Sequence, residues 1–551
     1  MSGCRKVNGM TIKKIVIKNY KLLQDVVIFL NTGVNIFVGD NDSGKSTILE
    51  VLSILTTGKL NGYAFERQLK ANMFTRAVRI AYIQALKSGR KVPPPEIIFE
   101  AYFDGDPIYK GSNNTLSEQD AIGINITAHI DEKNTELYKQ MVTRGDVKDI
   151  PIELYTVDYH YFNGDTFNFR YGPFKSVFID TTRKDYGGLV GHFISDSISD
   201  TLTGEQIRDL SIAYGISRRS FRDNETVKQL NEAVRKKAVV QGRDVSLDLR
   251  EDDSEAWKKQ MSIVVDDIPF EHVGFGTQNT IKIELALQNA EEQANIVLME
   301  EPENNLSFSN MAILVNHITE SKGKQVFIST HSSYIANKLS LSNVLLVREG
   351  RISPYNTLPD DTKKYFVKLP GYDTLRFILS SKVILVEGPT DNLIIQRAYL
   401  DKNRKLPSED GIDIIVVDAL AFKRYLDLAA LIEKPVVVVT DNDGNIEKNI
   451  KEKYRGYQQS FFTYYYENNK DFNTIEPSVL AVNLDKNGSP TEVFKKAISA
   501  GDSMMNRDKQ GVLDFMSKRG NKSEWAYRVF EAPERINYPE YITNVIKHFE
   551  Q

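Results

Sequence analysis

The chain has 551 residues, 41% of them hydrophobic and 26% charged, and a formal net charge of −4. That length exceeds what one hydrophobic core normally supports and implies two or three domains, while the mild acidity excludes a globally basic nucleic-acid binder but leaves room for local basic surfaces. The single cysteine, Cys4, excludes an internal disulfide framework or a cysteine-rich zinc centre; no apolar stretch nears the ~20 residues of a membrane span, and Met1–Lys14 has no apolar run, so a cytoplasmic protein without a membrane partner is expected.

In chain order, Ile12, Ile15 and Ile17 begin a strand that is followed by Asn19–Leu23, and Val26–Leu30 alternates as a second. A third, Val34–Val38, runs into a glycine-rich turn and then a helix over Ser46–Leu55. Residues 64–92 read as helical and carry Arg67, Lys70, Arg76, Arg79, Lys87, Arg90 and Lys91, with Pro93–Pro95 ending the segment. Glu96–Phe103 alternates like a strand, and 104–180 looks β-rich. Residues 187–250 turn charged and helical and read as an insertion. The strand pattern returns at Met261–Phe270, and helix and strand then alternate to a boundary near Gly371. From Lys382 a fresh alternation begins with the strands Val383–Val386, Ile414–Val417 and Val436–Val439, which implies a parallel sheet covered by helices. An α/β protein is expected, with one domain over 1–370 and another over 375–551 that ends in helices.

Gly39-Asp40-Asn41-Asp42-Ser43-Gly44-Lys45-Ser46 fits the phosphate-loop pattern G-x-x-x-x-G-K-[ST]. Glycines let backbone N–H groups wrap the phosphates, Lys45 brings positive charge to them, and Ser46 offers an oxygen to Mg²⁺. The loop follows an apolar strand and opens a helix, as this chemistry requires. Gly39, Asn41, Ser43, Gly44, Lys45, Ser46 and Thr47 are therefore candidate ATP-binding residues. Glu300 and Glu301 follow the buried-strand run Ile296–Met299; the first can hold the Mg²⁺ shell, the second can polarise the attacking water. His331, after Gln325–Ser329, can donate to the γ-phosphate. Gly274-Phe275-Gly276-Thr277-Gln278 precedes an amphipathic helix and can bind an anion through free N–H groups.

A second acidic set lies later. Glu387 and Asp391 follow Val383–Val386, and Asp441 and Asp443 follow Val436–Val439. Carboxyl ends of parallel strands are where α/β sheets place their sites. Pleat alternation is expected to aim Asp441 and Asp443 to one side, with Glu387 joining if the two strands are adjacent. Four carboxylates with ordinary values near ~4 are expected to be ionised together, and divalent cations relieve their repulsion. Oxygen ligands select Mg²⁺ or Mn²⁺, and two such ions about 4 Å apart suit phosphodiester hydrolysis. The Arg and Lys groups over 67–91 and 218–237 fit either phosphate contacts or solvated helix faces, and Tyr464–Tyr466 reads as a strand rather than a stacking platform.

Phosphate loop, glycine turn before a helix, Glu300-Glu301-Pro302-Glu303 after a strand and Thr330-His331-Ser332 stand in the order of ABC-type ATPase heads, and Asn19-Tyr20-Lys21 resembles the SMC and RecF-like branch. Glu387-Gly388-Pro389-Thr390-Asp391 with Asp441-Asn442-Asp443 resembles the Toprim fold. Together the chain resembles the OLD (overcoming lysogenization defect) family. Two departures stand out: Glu300 replaces the aspartate of most transporters, and the glycine turn is G-x-G-x-Q rather than LSGGQ. The resemblance implies head-to-head pairing as a homodimer or higher homo-oligomer. Gly276 and Gln278 of one subunit would then complete the ATP site of another, and the helical insertion is assigned to dimerisation. It further implies Glu476 as a second-metal ligand and Lys522 as a cation near the transition state. The implied function is an ATP-linked, two-metal DNA endonuclease of antiphage defence, with a helicase or a retron reverse transcriptase and its RNA–DNA product as partner classes. The rival readings are an ATP-dependent DNA sensor or scaffold with an idle Toprim fold, and a RecF-like clamp, against which residues 380–480 speak.

Overall fold

In the computed structural model of the chain, residues 10–550 are described except 91, 106, 170, 182–201, 238–244, 248–256, 258–262, 290–294, 321–322, 369–371, 418–420, 500–503 and 519. Cys4, Lys91, Met261, the boundary residue Gly371 and parts of the 187–250 insertion thus lie outside the described residues. The chain divides into two compact units, Met1–Asn35 with Ser46–Ser329, and Ile36–Lys45 with Thr330–Gln551. Among the described residues no helix is long and apolar enough to cross a membrane.

The first unit contains an antiparallel sheet that begins with the hairpin Ile12–Tyr20 and Leu23–Phe29. Its residues Ile12, Ile15, Val16, Ile17 and Tyr20 are fully buried, and Tyr20 meets Phe99 of the neighbouring strand Ile97–Phe103 edge to face at 5.0 Å. Ala121–Ile130 and Tyr155–Tyr161 extend the sheet. The segment 64–92 is not one helix: only Phe65–Gln68 and Arg76–Lys87 are α-helical. Between them lies a single 3₁₀ turn, Ala71–Met73, and the bonds from Lys21 N to Met73 O and from Thr75 N to Asn19 O tie this segment to the end of the first strand. The β-rich stretch likewise contains a helix, Thr135–Arg144, stopped by Gly145 at φ 76°. In the insertion, Gly204–Asp223 starts at a reciprocal Thr203–Gln206 cap and is followed by Glu225–Lys237. From Ile263 to Phe270 the expected strand reduces to a two-residue ladder, Val264–Val265 with Ile268–Pro269.

The unit's second sheet is parallel: Ser176–Asp180, Ile296–Glu300 and Gln325–Ser329 pair in register. Ile296, Val297, Leu298 and Met299 are all fully buried, the unbroken apolar run of a strand covered on both faces.

In the second unit, Ile36–Val38 pairs in parallel with Val344–Leu346, and Val344–Arg348 turns back into Arg351–Pro354 as a tight hairpin. The Toprim-like part is a four-stranded parallel sheet in the order Ile412–Val416, Lys382–Val386, Val436–Val439, Phe462–Tyr465. Its centre is apolar on both faces, and Val437 and Val439 join the core formed with Trp525, Val529, Ile542 and Val545 of the carboxyl-terminal helices. Buried Arg397, on the helix Pro389–Asn403, donates to the carbonyls of Val529, Phe530, Ala532 and Glu534, so helix and chain end are bolted together. Trp525 is fully buried within this core. Trp525→Ala is expected to destabilise the unit by about 3–5 kcal/mol, visible as an early transition in thermal denaturation.

Candidate functional site

The nucleotide loop follows from local backbone chemistry. Val34–Val38 delivers the chain to Gly39, and the helix Lys45–Thr57 starts at its far end. A Cβ on Gly39 would sit 2.0 Å from the Val347 carbonyl oxygen and 2.7 Å from Ser43 Oγ, so glycine is required by space and not only by flexibility. Gly44 takes φ 111°, a conformation glycine alone adopts without strain. Lys45 is buried, and its Nζ donates to the carbonyls of Gly39 and Asp40 at 2.8 Å each. Among the described residues, buried Ser43 Oγ and Asp40 Oδ1 meet no hydrogen-bond partner, and for Ser43 the hydroxyl fits a phosphate oxygen. Gly39→Ala should weaken ATP binding at least ~10-fold without unfolding the protein, because the displaced neighbour is backbone that cannot swing aside; a fluorescent-nucleotide titration reads it. His331 follows Thr330, whose N–H donates to Phe37 O.

In the first unit, Ser46 forms a side-chain hydrogen bond with Glu300. Burial raises the Glu300 carboxyl above the usual range; Asp180, Glu301 and Glu50 push it further, and the Ser46 bond opposes them. Such an acid-rich strand end suits a cation between Ser46 and Glu300. Glu301 sits in a positive-φ turn at 43°, where its N–H donates to Ser329 O and its Oε2 accepts from Asn304. The helix Phe275–Asn289 is tied to the same turn: Asn279 donates to Asn304 O, and a Cβ on Gly276 would lie 2.4 Å from Asn305 O. Gln278 donates its side-chain amide to Val273 O and is buried. Sequence reasoning missed Asp180 and Thr181; the Thr181 hydroxyl donates to the carbonyls of both Glu300 and Glu301, and its strand end carries no motif.

In the second unit, the strands Lys382–Val386 and Val436–Val439 are neighbours, which brings Glu387 to Asp441. Glu387 Oε1 accepts from the Thr440 hydroxyl and from Asp441 N at 3.1 Å. Asp391 closes the first turn of its helix, its Oδ2 accepting from Gly388 N at 3.0 Å. Burial, then Glu387 and Glu476, push the Asp391 carboxyl up to about 7. Burial, then Asp391, Glu387, Glu476 and Asp443, push Asp441 up to about 9. The five acids therefore share one electrostatic neighbourhood, and burial together with mutual repulsion opposes the simultaneous ionisation of all of them. Two carboxylates about 5 Å apart repel by roughly 3 kcal/mol at an effective dielectric of 20, so retaining a proton is cheaper than carrying every charge.

The relation of Asp441 to Asp443 is not a pleat. The strand ends at Val439, and Asp443 sits at φ 45° in a turn held by Asn442, whose side chain donates to Glu467 O and Asn469 O. Glu476 is buried in the first turn of Ile475–Ala481, and its Oε2 accepts from Thr474. Lys522 opens the helix Lys522–Glu531 with its Nζ 3.8 Å from Glu476 Oε1, and its carbonyl accepts from Thr390. Tyr541, also missed, is buried within electrostatic reach of Asp391, Asp441, Glu467 and Glu476; nothing near it in sequence signals this. Among the described residues no three His, Cys, Asp or Glu are already disposed around a point as an ion's cage. The donor set nevertheless fits a hard divalent cation: it is all oxygen and rich in carboxylates that repel one another, with Asp391 and Glu476 buried.

A family model described as an AAA ATPase domain matches residues 10–143 and 194–336, and one described as an overcoming lysogenization defect protein-like Toprim domain matches 378–443. Glu476 and Lys522 lie beyond the second match. No curated protein matches the chain. Among solved structures, the chain is similar to an SMC head domain from Thermotoga maritima at 14% identity and TM-score 0.30, covering 62% of this chain and 98% of that one. It is also similar to an SMC head from Pyrococcus furiosus bound to the C-terminal domain of ScpA (14%, TM-score 0.33, 62% and 95% covered). The recombination mediator RecF with ATP is similar at 13% identity and TM-score 0.33, with 64% and 100% covered. The assignment rests on the two family models, whose order along the chain matches the two constellations: this chain is a member of the overcoming lysogenization defect (OLD) family, an AAA ATPase domain followed by an OLD-like Toprim domain.

Proposed function

We propose that the protein is an ATP-gated, divalent-metal-dependent DNA endonuclease, nicking or cutting DNA in antiphage defence. The observation that carries this reading is the adjacency of the strands before Glu387 and Asp441, which sets these two acids side by side with Asp391, Asp443 and Glu476 in electrostatic reach. Glu387, Asp391, Asp441, Asp443 and Glu476 would hold Mg²⁺ or Mn²⁺, which supplies Lewis acidity to a phosphodiester. Lys522, beside Glu476 and half exposed, brings a positive charge to the edge of this acid cluster where a DNA phosphate would approach. Lys45 and the loop N–H groups bind the ATP phosphates, Ser46 and Glu300 hold its Mg²⁺, and Glu301 and His331 attend the attacking water and the γ-phosphate. Paired heads would bring Gly276 and Gln278 to a partner's nucleotide. Phosphodiester hydrolysis needs no nucleotide, so ATP gates the cut rather than powering it.

The rival reading is a DNA sensor with an idle Toprim fold. Purified protein incubated with supercoiled plasmid and Mg²⁺ or Mn²⁺, with and without ATP, separates the two. Metal-dependent nicked or linear product supports the nuclease. No product with either metal leaves the sensor, and cutting indifferent to ATP removes the gate.

A further inference from the structure

The hairpin Val344–Arg348 with Arg351–Pro354 touches the nucleotide loop on one side and the Toprim-like sheet on the other, all within one compact unit. Towards the loop, Gly350 N donates to Ser43 O at 3.1 Å, and the Val347 carbonyl lies so close to Gly39 that no Cβ fits between them. Towards the sheet, Arg348 Nη1 donates to Ile432 O at 3.3 Å and Glu433 O at 3.0 Å, and Arg351 pairs with the Glu433 carboxylate. A pocket of about 140 Å³ lies along this contact, lined by Arg348, Glu349, Arg351 and Glu433.

The turn that receives these contacts leads directly into the strand of the acids. Glu433 takes φ 50°, an unfavourable backbone for a residue with a side chain, and Arg348 holds its carbonyl there. The next residue, Lys434, is 1% exposed; its Nζ donates to Ile378 O and Ser380 O. Its charge and that of Arg348 both act on Asp40 of the nucleotide loop. Pro435 follows, then Val436–Val439, then Thr440 and Asp441, which hold Glu387.

We propose that the turn Arg348–Arg351 is the transmission element by which occupancy of the nucleotide loop reaches the acid site, with Arg348 and Lys434 as its positioning residues. This rests on the reading of the protein as an ATP-gated nuclease and specifies its gate. Lys45 donates to the carbonyls of Gly39 and Asp40. Phosphates compete for Lys45 and add negative charge beside Asp40, so the loop carbonyls and the pull on Arg348 and Lys434 both change. A ligand shifts an equilibrium only through such differential contacts. The Lys434 turn then re-seats, and with it the strand that carries Asp441.

The test compares wild type, Arg348→Ala and Arg351→Ala as full-length proteins. Plasmid cutting in Mn²⁺ is measured with and without a non-hydrolysable ATP analogue, beside the analogue's affinity and hydrogen exchange over 436–445. Wild type is expected to change its cutting rate by at least about fivefold on binding the analogue. Arg348→Ala, compared at saturating analogue, should bring that ratio near one and abolish the analogue's effect on exchange over 436–445. Arg351→Ala, at a side chain 72% exposed that cannot cost the fold much, should reduce the ratio in part. Wild type that does not cut, or ignores the analogue, overturns the gated nuclease and this gate with it. A responsive wild type whose ratio and exchange change survive in both variants overturns the transmission element alone.

Discussion

Asp441→Asn is expected to lower metal-dependent cleavage on the order of a thousandfold while leaving ATP binding unchanged. The substitution is nearly isosteric, and the Asp441 N–H that Glu387 accepts is backbone, so the contact between the two strands survives. What it removes is a ligand oxygen with a full charge at the centre of the acid cluster. The fold should not suffer. Burial and the neighbouring acids already push this carboxyl up to about 9, so the metal-free protein holds it largely protonated at neutral pH, and asparagine imitates that neutral form. Thermal denaturation should therefore show an unchanged or slightly raised Tm without metal. Wild type should gain further stability from Mn²⁺ through mass action, and Asp441→Asn should gain little. Glu387→Gln should behave alike in cleavage but less cleanly in stability, because its Oε1 also accepts from Thr440. A variant that cuts at the wild-type rate would remove Asp441 from the chemistry.

Lys45→Ala is expected to weaken nucleotide binding by on the order of a hundred- to a thousandfold. Its ammonium is buried at the centre of the loop, and a charge-assisted contact with phosphate at such a place is worth roughly 3–4 kcal/mol. The loop carbonyls of Gly39 and Asp40 also lose their donor, which loosens the loop around the space left. Cleavage should remain, fixed at the rate the wild type shows without nucleotide, because the acids lie elsewhere in the chain. Retained ATP affinity in this variant would mean that the loop binds its ligand by some other arrangement.

How much of this was legible in the sequence depended on how local the chemistry is. The nucleotide loop is written in eight consecutive residues, because backbone N–H groups and one lysine do the binding. Glu387 and Asp441 were legible because parallel strands end where sites form, and the all-valine run Val436–Val439 marks such a strand. Asp443 was assigned to the right neighbourhood for the wrong reason: the pleat stops at Val439, and a turn pinned by Asn442 takes over. The upward push on Asp391 and Asp441 was not legible, because reference values hold for isolated acids and this push comes from burial and from acids distant in sequence. Thr440 adjoins the motif and its hydroxyl could have been suspected, but Tyr541 and the contact of Lys522 with Glu476 join segments far apart in the chain. The same limit applies to the break in residues 64–92, where hydrogen bonds to Asn19 and Lys21 override helix propensity.

The most direct measurement is Mn²⁺ binding by electron paramagnetic resonance on nucleotide-free wild type and Asp441→Asn. Saturable Mn²⁺ sites are expected in the wild type that largely vanish in the variant, while the variant still takes up Mn²⁺ together with ATP. Equal Mn²⁺ binding by both proteins, or none by the wild type, would contradict a metal centre built on these acids.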